Sequence, residues 1–424
     1  MILDELPLEL MREVLLDLAT VDIIQTVKCT RRLYHFAKSD KALGRRLQNR
    51  VLNARLGLGN YELCADCGKL VLRLYLDGKF RQANDAAQWK SSNFVFLFEG
   101  DCKCDYIDGL TPGIEPNLLN YPSFFYDNHL LRAFEDGTDF VINSGSLDEA
   151  IVNCGTLFNI FTKFCVIHKF ELRLYNNDDQ IWEQMNAFFN ANPPDLRIQP
   201  CVSIDSGINL NIFSTSSIFS NGLAKIQIYD FIKQWGLVDA YHEVLRRTPQ
   251  VFLSVVDLPY TYEDLFGFFK DTKKLSLHSE THIAEEQLGQ LVQDFYEVKR
   301  DEERTLEIKF DGDFLIKDFL TLIPEEAYSL QLKRSRIVGP EPEIRTWAEM
   351  TDKFGGRWAL IVIVMNYHCR FLHIRNMNYF TEDCLSNLGD EFEINQFFDP
   401  SDSDQSDSEQ FDSDQSYSGQ SDFD

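Results

Sequence analysis

Four cysteines carry the clearest metal chemistry in the chain: Cys64-x-x-Cys67-Gly68, followed after 34 residues by Cys102-x-Cys104. Thiolates this close in sequence can converge on one Zn²⁺ at about 2.3 Å, and a glycine after the second cysteine lets the backbone turn toward the metal. Cys64, Cys67, Cys102 and Cys104 are therefore candidate ligands of a structural zinc, because four thiolates leave no open position for catalysis. Four unconnected thiols in a loop-rich stretch is the competing reading, since a C-x-C half departs from the commoner C-x-x-C. Other chemistry-bearing residues are scattered. His278 and His282 are four apart and His368 and His373 five apart, with a strand-to-helix boundary expected between the first two. Each is expected to be a packed or surface imidazole. The pairs Glu285/Glu286 and Glu325/Glu326 fall at expected helix starts, where the macrodipole accounts for them. The sequence contains no P-loop, no Gly-x-Ser-x-Gly elbow, no His-Glu-x-x-His and no Gly-x-Gly-x-x-Gly. A non-enzymatic protein is expected, with zinc as its one candidate cofactor.

The elements that must position these residues are bounded by composition. With 424 residues, 44% hydrophobic and 13% aromatic, the chain can bury two or three cores. It lacks a run of about 18 apolar residues, and its N-terminus starts acidic where a secretory signal would be basic. A soluble protein of the cytosol or nucleus, with no membrane contact, is expected. In a reducing compartment Cys154, Cys165, Cys201, Cys369 and Cys384, which sit among apolar neighbours, read as small core residues.

Residues 6–47 read as three or four short amphipathic helices. Pro7 suits a helix start. Leu10, Met11, Val14, Leu15 and Leu18 then form one apolar stripe at helical spacing, with Glu9, Arg12, Glu13 and Asp17 on the wet side. Asp22 is placed to cap a second helix carrying Ile23, Ile24 and Val27, and Thr30 a third carrying Leu33, Tyr34, Phe36 and Ala37. Helices this short must bury their stripes against one another or against a partner. An ordinary N-terminal helical hairpin would satisfy the same pattern. The order of its parts adds more: Leu6-Pro7-x-Glu9, then Val14-Leu15-x-x-Leu18, then Asp22-Ile23-Ile24, then Cys29-Thr30-Arg31-Arg32-Leu33-Tyr34. This succession resembles the F-box, over about a tenth of the chain, with Cys29 and Leu33 where the motif usually has Val and Trp. The resemblance implies that Leu6, Pro7, Leu10, Val14, Leu15, Leu18, Ile23, Ile24 and Leu33 pack against the Skp-family adaptor of a cullin-RING ubiquitin ligase.

Charge bears on the same segment independently. The chain is acidic at −26, yet residues 28–55 hold nine Lys or Arg against Asp40 alone. Such an island steers an acidic protein partner toward it. Nucleic acid is disfavoured, because the surrounding negative charge opposes a polyphosphate and no stacking motif accompanies the patch. A merely solvated basic face remains the plain alternative.

The fold class expected is α/β in four parts. After the head at 1–55, residues 56–164 read as an irregular β-rich connector holding the cysteine quartet. Within it Leu70, Leu72, Leu74 and Leu76 alternate up to Asp77-Gly78, a dipeptide that favours a hairpin turn, and 93–98 is a further strand. Over 165–398, aliphatic pairs at i and i+2 recur at Leu172/Leu174, Ile226/Ile228, Leu253/Val255, Leu275/Leu277, Leu306/Ile308, Leu330/Leu332 and Leu372/Ile374. Helical patterns lie between several of them, at 231–247, 262–270, 283–299, 314–323 and 344–354, and 355–364 ends in a run that reads as a buried strand. One strand and one helix every 22 to 31 residues resembles an irregular leucine-rich-repeat-like domain, although the asparagine that turns each repeat is missing. An open α/β sheet explains the same alternation. Residues 399–424, with nine acidic residues, eight serines and no Lys or Arg, read as a disordered acidic tail. In it Ser401, Ser406 and Ser421 each precede an acidic residue by three positions, which resembles casein kinase 2-type phosphorylation sites. The alternative is a solubilising segment whose serines stay unmodified. The combination is similar to F-box proteins with a repeat-like receptor region, which implies that the head docks on the adaptor and its cullin scaffold while 165–398 selects an unidentified protein target for ubiquitin transfer. A zinc-stabilised interaction scaffold with no ubiquitin role is the alternative.

Overall fold

Short apolar periods at the N-terminus and i, i+2 pairs further on produce, respectively, a bundle of small helices and one very wide sheet. The computed structural model describes residues 3–48, 51–62, 70–80, 89–97, 140–174, 179–204, 210–230, 242–255, 264, 267–282, 285–297, 304–311, 328–338, 343–365 and 368–379. The chain divides into a unit Met1–Tyr379 and a unit Phe380–Asp424, and the latter holds no described residue.

Helices α1 (Leu8–Asp17), α2 (Thr20–Thr26), α3 (Arg31–Ser39) and α4 (Lys41–Gln48) form the head. Pro7 sits just before α1, its carbonyl accepting from the Met11 amide at 2.9 Å. Thr30 caps α3 as expected, its hydroxyl accepting from the Leu33 amide at 3.2 Å. Asp22 does not cap α2. That helix starts two residues earlier, at Thr20, and the Asp22 carboxylate instead pairs with Arg197 of the body. Asp40 caps α4 by accepting from the Ala42 and Leu43 amides at 3.0 and 2.9 Å.

Fourteen strands form a single sheet: β1 (Val51–Glu62), β2 (Leu70–Phe80), β3 (Trp89–Leu97), β4 (Phe140–Asn143), β5 (Ile167–Leu174), β6 (Cys201–Ile204), β7 (Lys225–Asp230), β8 (Gln250–Val255), β9 (Lys274–His282), β10 (Thr305–Asp311), β11 (Tyr328–Val338), β12 (Glu343–Thr351), β13 (Arg357–Met365) and β14 (His368–Asn376). Their order is β11-β12-β13-β14-β10-β9-β8-β7-β6-β5-β1-β2-β3-β4. Strands β5 to β10 are parallel and lie side by side in chain order. Helices α5 (Leu147–Phe164), α6 (Asp179–Ala191), α7 (Ile212–Thr215), α8 (Glu243–Arg247) and α9 (Glu285–Glu297) punctuate the strands. Most of the aliphatic pairs lie in the core with these helices: Leu172 and Leu174, Ile226 and Ile228, Leu275 and Leu277, Leu306 and Ile308 join Phe158, Phe161, Phe189 and Phe295.

Several expectations change. The boundary expected at 164/165 is crossed by the sheet, because β1 pairs in parallel with β5, and residues 147–164 of the expected β-rich connector are the longest described helix. Asp77-Gly78 does not turn. Both residues run inside β2, opposite Arg55 and Ala54 on one side and Ser91 and Lys90 on the other, so ladder hydrogen bonds from two neighbours override a turn-prone dipeptide. The helix expected at 344–354 is strand β12, paired from Glu343 to Thr351 with β13. Its apolar spacing suited either period, and the continuous apolar strand beside it decided the outcome. The hairpin between them is closed by Asp352, whose Oδ1 accepts from the amides of Phe354 and Gly356 at 2.8 and 2.7 Å while Oδ2 accepts from Trp358 Nε1 at 2.9 Å. Gly355, at φ +87°, supplies the left-handed residue this turn needs. His278 and His282 both lie in β9, so the expected boundary falls after them.

Candidate functional site

The head closes a core of its own. Met11, Leu15, Ile23, Val27, Leu33, Ala37 and Leu43 are buried together, so of the nine residues expected at an adaptor interface Leu15, Ile23 and Leu33 are interior. Leu6, Leu18 and Ile24 are half-buried, and Pro7, Leu10 and Val14 are exposed. The expected single stripe on α1 is thus split: Met11 and Leu15 turn inward, while Leu10 and Val14, one turn apart on another side, face solvent. Large apolar side chains remain uncovered there, with Leu8 at 49%, Leu10 at 54%, Val14 at 41% and Tyr34 at 51% exposure. An open groove beside them is lined by Leu8, Arg32, His35, Phe36, Lys38 and Ser39, which combines apolar and basic walls.

One arginine joins this head to the body. Arg46, almost fully buried, donates to Thr20 Oγ1 at 2.8 Å, to the Leu16 and Leu18 carbonyls at 3.0 and 2.5 Å, and to the Lys163 carbonyl at the end of α5 at 3.0 Å. Its guanidinium also lies 4.4 Å from the Phe164 ring centre, and Thr20 Oγ1 donates to the Phe164 carbonyl at 2.9 Å. The pairs Asp22–Arg197 and Asp17–Lys163 add surface contacts at the same junction. The basic island of the sequence therefore divides: Arg46 is structural, whereas Lys28, Arg31, Arg32, Lys38 and Lys41 are exposed.

Cys64, Cys67, Cys102 and Cys104, and likewise Ser401, Ser406 and Ser421, lie outside the described residues. Among the described residues no group of three or more His, Cys, Asp or Glu side chains is arranged to hold a metal ion. Cys154 and Cys165 are buried in the helix-facing core, where burial raises both thiols, that of Cys165 to about 12. They are protonated packing residues. A cavity between β5 and the helices, lined by Leu172, Trp182, Met185 and Phe219 among others, holds about 20 Å³, room for one water. No helix among the described residues is long and apolar enough to cross a membrane.

The second feature was not anticipated from the sequence. The residues that alternate with the aliphatic ones form a mainly polar face on the other side of the parallel strands, with Phe252 as its apolar member. In one rung across the sheet stand Arg173, Ser203, Gln227, Phe252, Ser276, Glu307 and His373, all buried. His278 Nε2 is 3.0 Å from Glu307 Oε1, and His373 Nδ1 is 3.9 Å from Glu307 Oε2. Burial alone would raise Glu307, but the His278 hydrogen bond, the neighbouring imidazole charges and the Ser276 hydroxyl bring it below the ordinary carboxylate range. Burial pushes His373 down to about 4, Glu307 opposing and Arg375 and Lys274 reinforcing the shift, so His373 is neutral at neutral pH. Further along, Tyr75 donates to Glu171 at 2.7 Å, and Lys169 and Arg173 also reach this carboxylate. Tyr75 gets there by crossing Gly57, where a Cβ would stand 1.8 Å from its ring. The signal for all this was present in the sequence: Glu307 sits between Leu306 and Ile308, Ser276 between Leu275 and Leu277, His373 between Leu372 and Ile374. What was missing was the register that brings Glu307 beside His373, whose strand lies 66 positions further along the chain.

Compared with known proteins, the chain matches no family model, no curated protein and no solved structure.

Proposed function

We propose that the protein is an F-box-type substrate receptor: the helical head docks on a Skp-family adaptor carried by a cullin scaffold, and the body holds a protein target for ubiquitin transfer. The observation that carries this reading is the head itself. It satisfies its own core and still leaves Leu8, Leu10, Val14 and Tyr34 in solvent beside exposed Arg31, Arg32 and Lys38. Large apolar side chains gathered on one small bundle and rimmed by charge mark a protein interaction surface. The Arg46 junction supports the same reading, because a receptor must hold its target at a set distance from the ligase. The parallel strands β5 to β10, neighbours in chain order with helices between, support an irregular leucine-rich-repeat-like body. The chain performs no bond chemistry of its own in this scheme. It raises the effective concentration of target lysines near the ligase.

Capture of a purified Skp-family adaptor by the full-length protein is the direct test. Val14→Asp and Leu10→Asp, both surface changes, are expected to abolish capture while the melting temperature stays within a degree or two. Wild-type protein that fails to capture any Skp-family adaptor, or Asp variants that capture it undiminished, would refute the reading. Leu15→Asp is the wrong variant, since it places a charge in the head's core.

A further inference from the structure

The lower edge of the sheet's polar face is a row of half-buried side chains that alternates in charge with each strand: Cys201 on β6, Lys225 on β7, Gln250 on β8, Lys274 on β9, Thr305 on β10 and Arg375 on β14. Lys225, Lys274 and Arg375 thus stand on every second strand, and neither Lys274 nor Arg375 forms an ion pair with a carboxylate among the described residues. Glu171, the carboxylate at the near end of the row, is already held by Tyr75, Lys169 and Arg173. Three cations aligned in a chain of net charge −26 run against its overall electrostatics. Burial lowers Lys225 to about 8, with Lys169 and Lys274 adding to the shift while Cys201 and Glu171 oppose it. Such a row is relieved by an anion laid along it.

We propose that the row Lys225, Lys274 and Arg375 binds an extended acidic segment of the target protein, the segment crossing the strands with its carboxylates on these three cations. Neighbouring strands lie about 4.8 Å apart, so cations on alternate strands are separated by about 10 Å. An extended segment in the polyproline II conformation advances about 3.1 Å per residue with three residues per turn, so acidic residues three apart fall on one side about 9 Å apart and match this spacing. The rung above, from Arg173 to His373, is buried, so the half-buried edge row is the accessible part of this face. This inference rests on the receptor reading, of which it names the target chemistry.

The test uses the full-length protein and a fluorescein-labelled (Glu-Ser-Gly)5 peptide, read by fluorescence anisotropy at low salt, with a labelled oligothymidylate of equal length as comparison. Wild type is expected to bind the peptide, with affinity falling as salt rises. The variant Lys225→Ala/Lys274→Ala/Arg375→Ala should bind at least about tenfold more weakly, since each partly buried charge contact contributes a few-fold. Lys225→Arg/Lys274→Arg should keep the wild-type affinity, and the single change Lys274→Glu, at a half-buried edge position, should weaken binding even if the triple variant folds poorly. No peptide binding by wild type, equal affinity in Lys274→Glu, or preference for the oligonucleotide would each overturn the proposal. Adaptor capture is measured on the same samples. Lost capture with peptide binding intact refutes the receptor reading, whereas intact capture with peptide binding indifferent to these variants refutes only the acidic-segment inference.

Discussion

Large apolar side chains are left outside chiefly in the head, where Arg46 is the one buried cation described, whereas charged side chains are taken inside chiefly in the body. The head has more large apolar residues than its four short helices can enclose, so Leu8, Leu10, Val14 and Tyr34 remain in water while Met11, Leu15 and Ile23 fill the interior. The body has a wide sheet whose second face must be built from whatever lies between its aliphatic residues, so Glu307, His373, Gln227 and Arg173 are buried and must find partners there. The contrast teaches where recognition can occur: an unfilled apolar surface on the head, and a charged edge bordering a polar interior on the body. Under the proposed function, each region would meet a different class of partner surface.

The largest break in this comparison is expected at the joint. Arg46→Ala leaves four acceptors at this junction, one buried and three part-buried, without their donor and should lower stability by roughly 3 to 5 kcal/mol in urea unfolding, with the head melting ahead of the body. A single unshifted transition would show that the head and body are not coupled through this side chain. Next comes the contrast within α1. Leu15→Ala should cost about 3 kcal/mol as a cavity in the head, whereas Val14→Ala, one residue away, should stay within about 0.5 kcal/mol. Equal effects would mean that the two sides of α1 are not divided as described. The smallest effect at ordinary pH concerns the body. His373 is held at about 4 when folded against an ordinary 6.5, so its contribution to stability is fully present above pH 6.5 and fades as pH falls toward 4. Roughly 1 kcal/mol should be lost by pH 5.5 and about 3 by pH 4, and His373→Gln should flatten that part of the profile. A profile unchanged by the substitution would place the acid sensitivity elsewhere.

Legibility followed range in the chain. The four head helices, the Thr30 cap and most of the parallel strands could be read because their patterns repeat within a few residues. Misreadings occurred where local preference and long-range pairing disagree: Asp77-Gly78 has the chemistry of a turn but is flanked by two strands, and 344–351 has spacing that fits a helix but lies against β13. Asp22 looked like a cap and serves as a tether to Arg197, 175 residues away.

The amino-acid order by itself determined the helical character of the head, the aliphatic side of most of the parallel strands, and the acidic balance against which a basic row stands out. Only the tertiary structure decided which half of the α1 stripe stays in water, which of nine basic residues becomes the Arg46 joint, and that Lys225, Lys274 and Arg375 share one row. Helix and strand periods act between residues a few positions apart, whereas the register of a sheet and the closing of a core depend on side chains that meet across long stretches of chain.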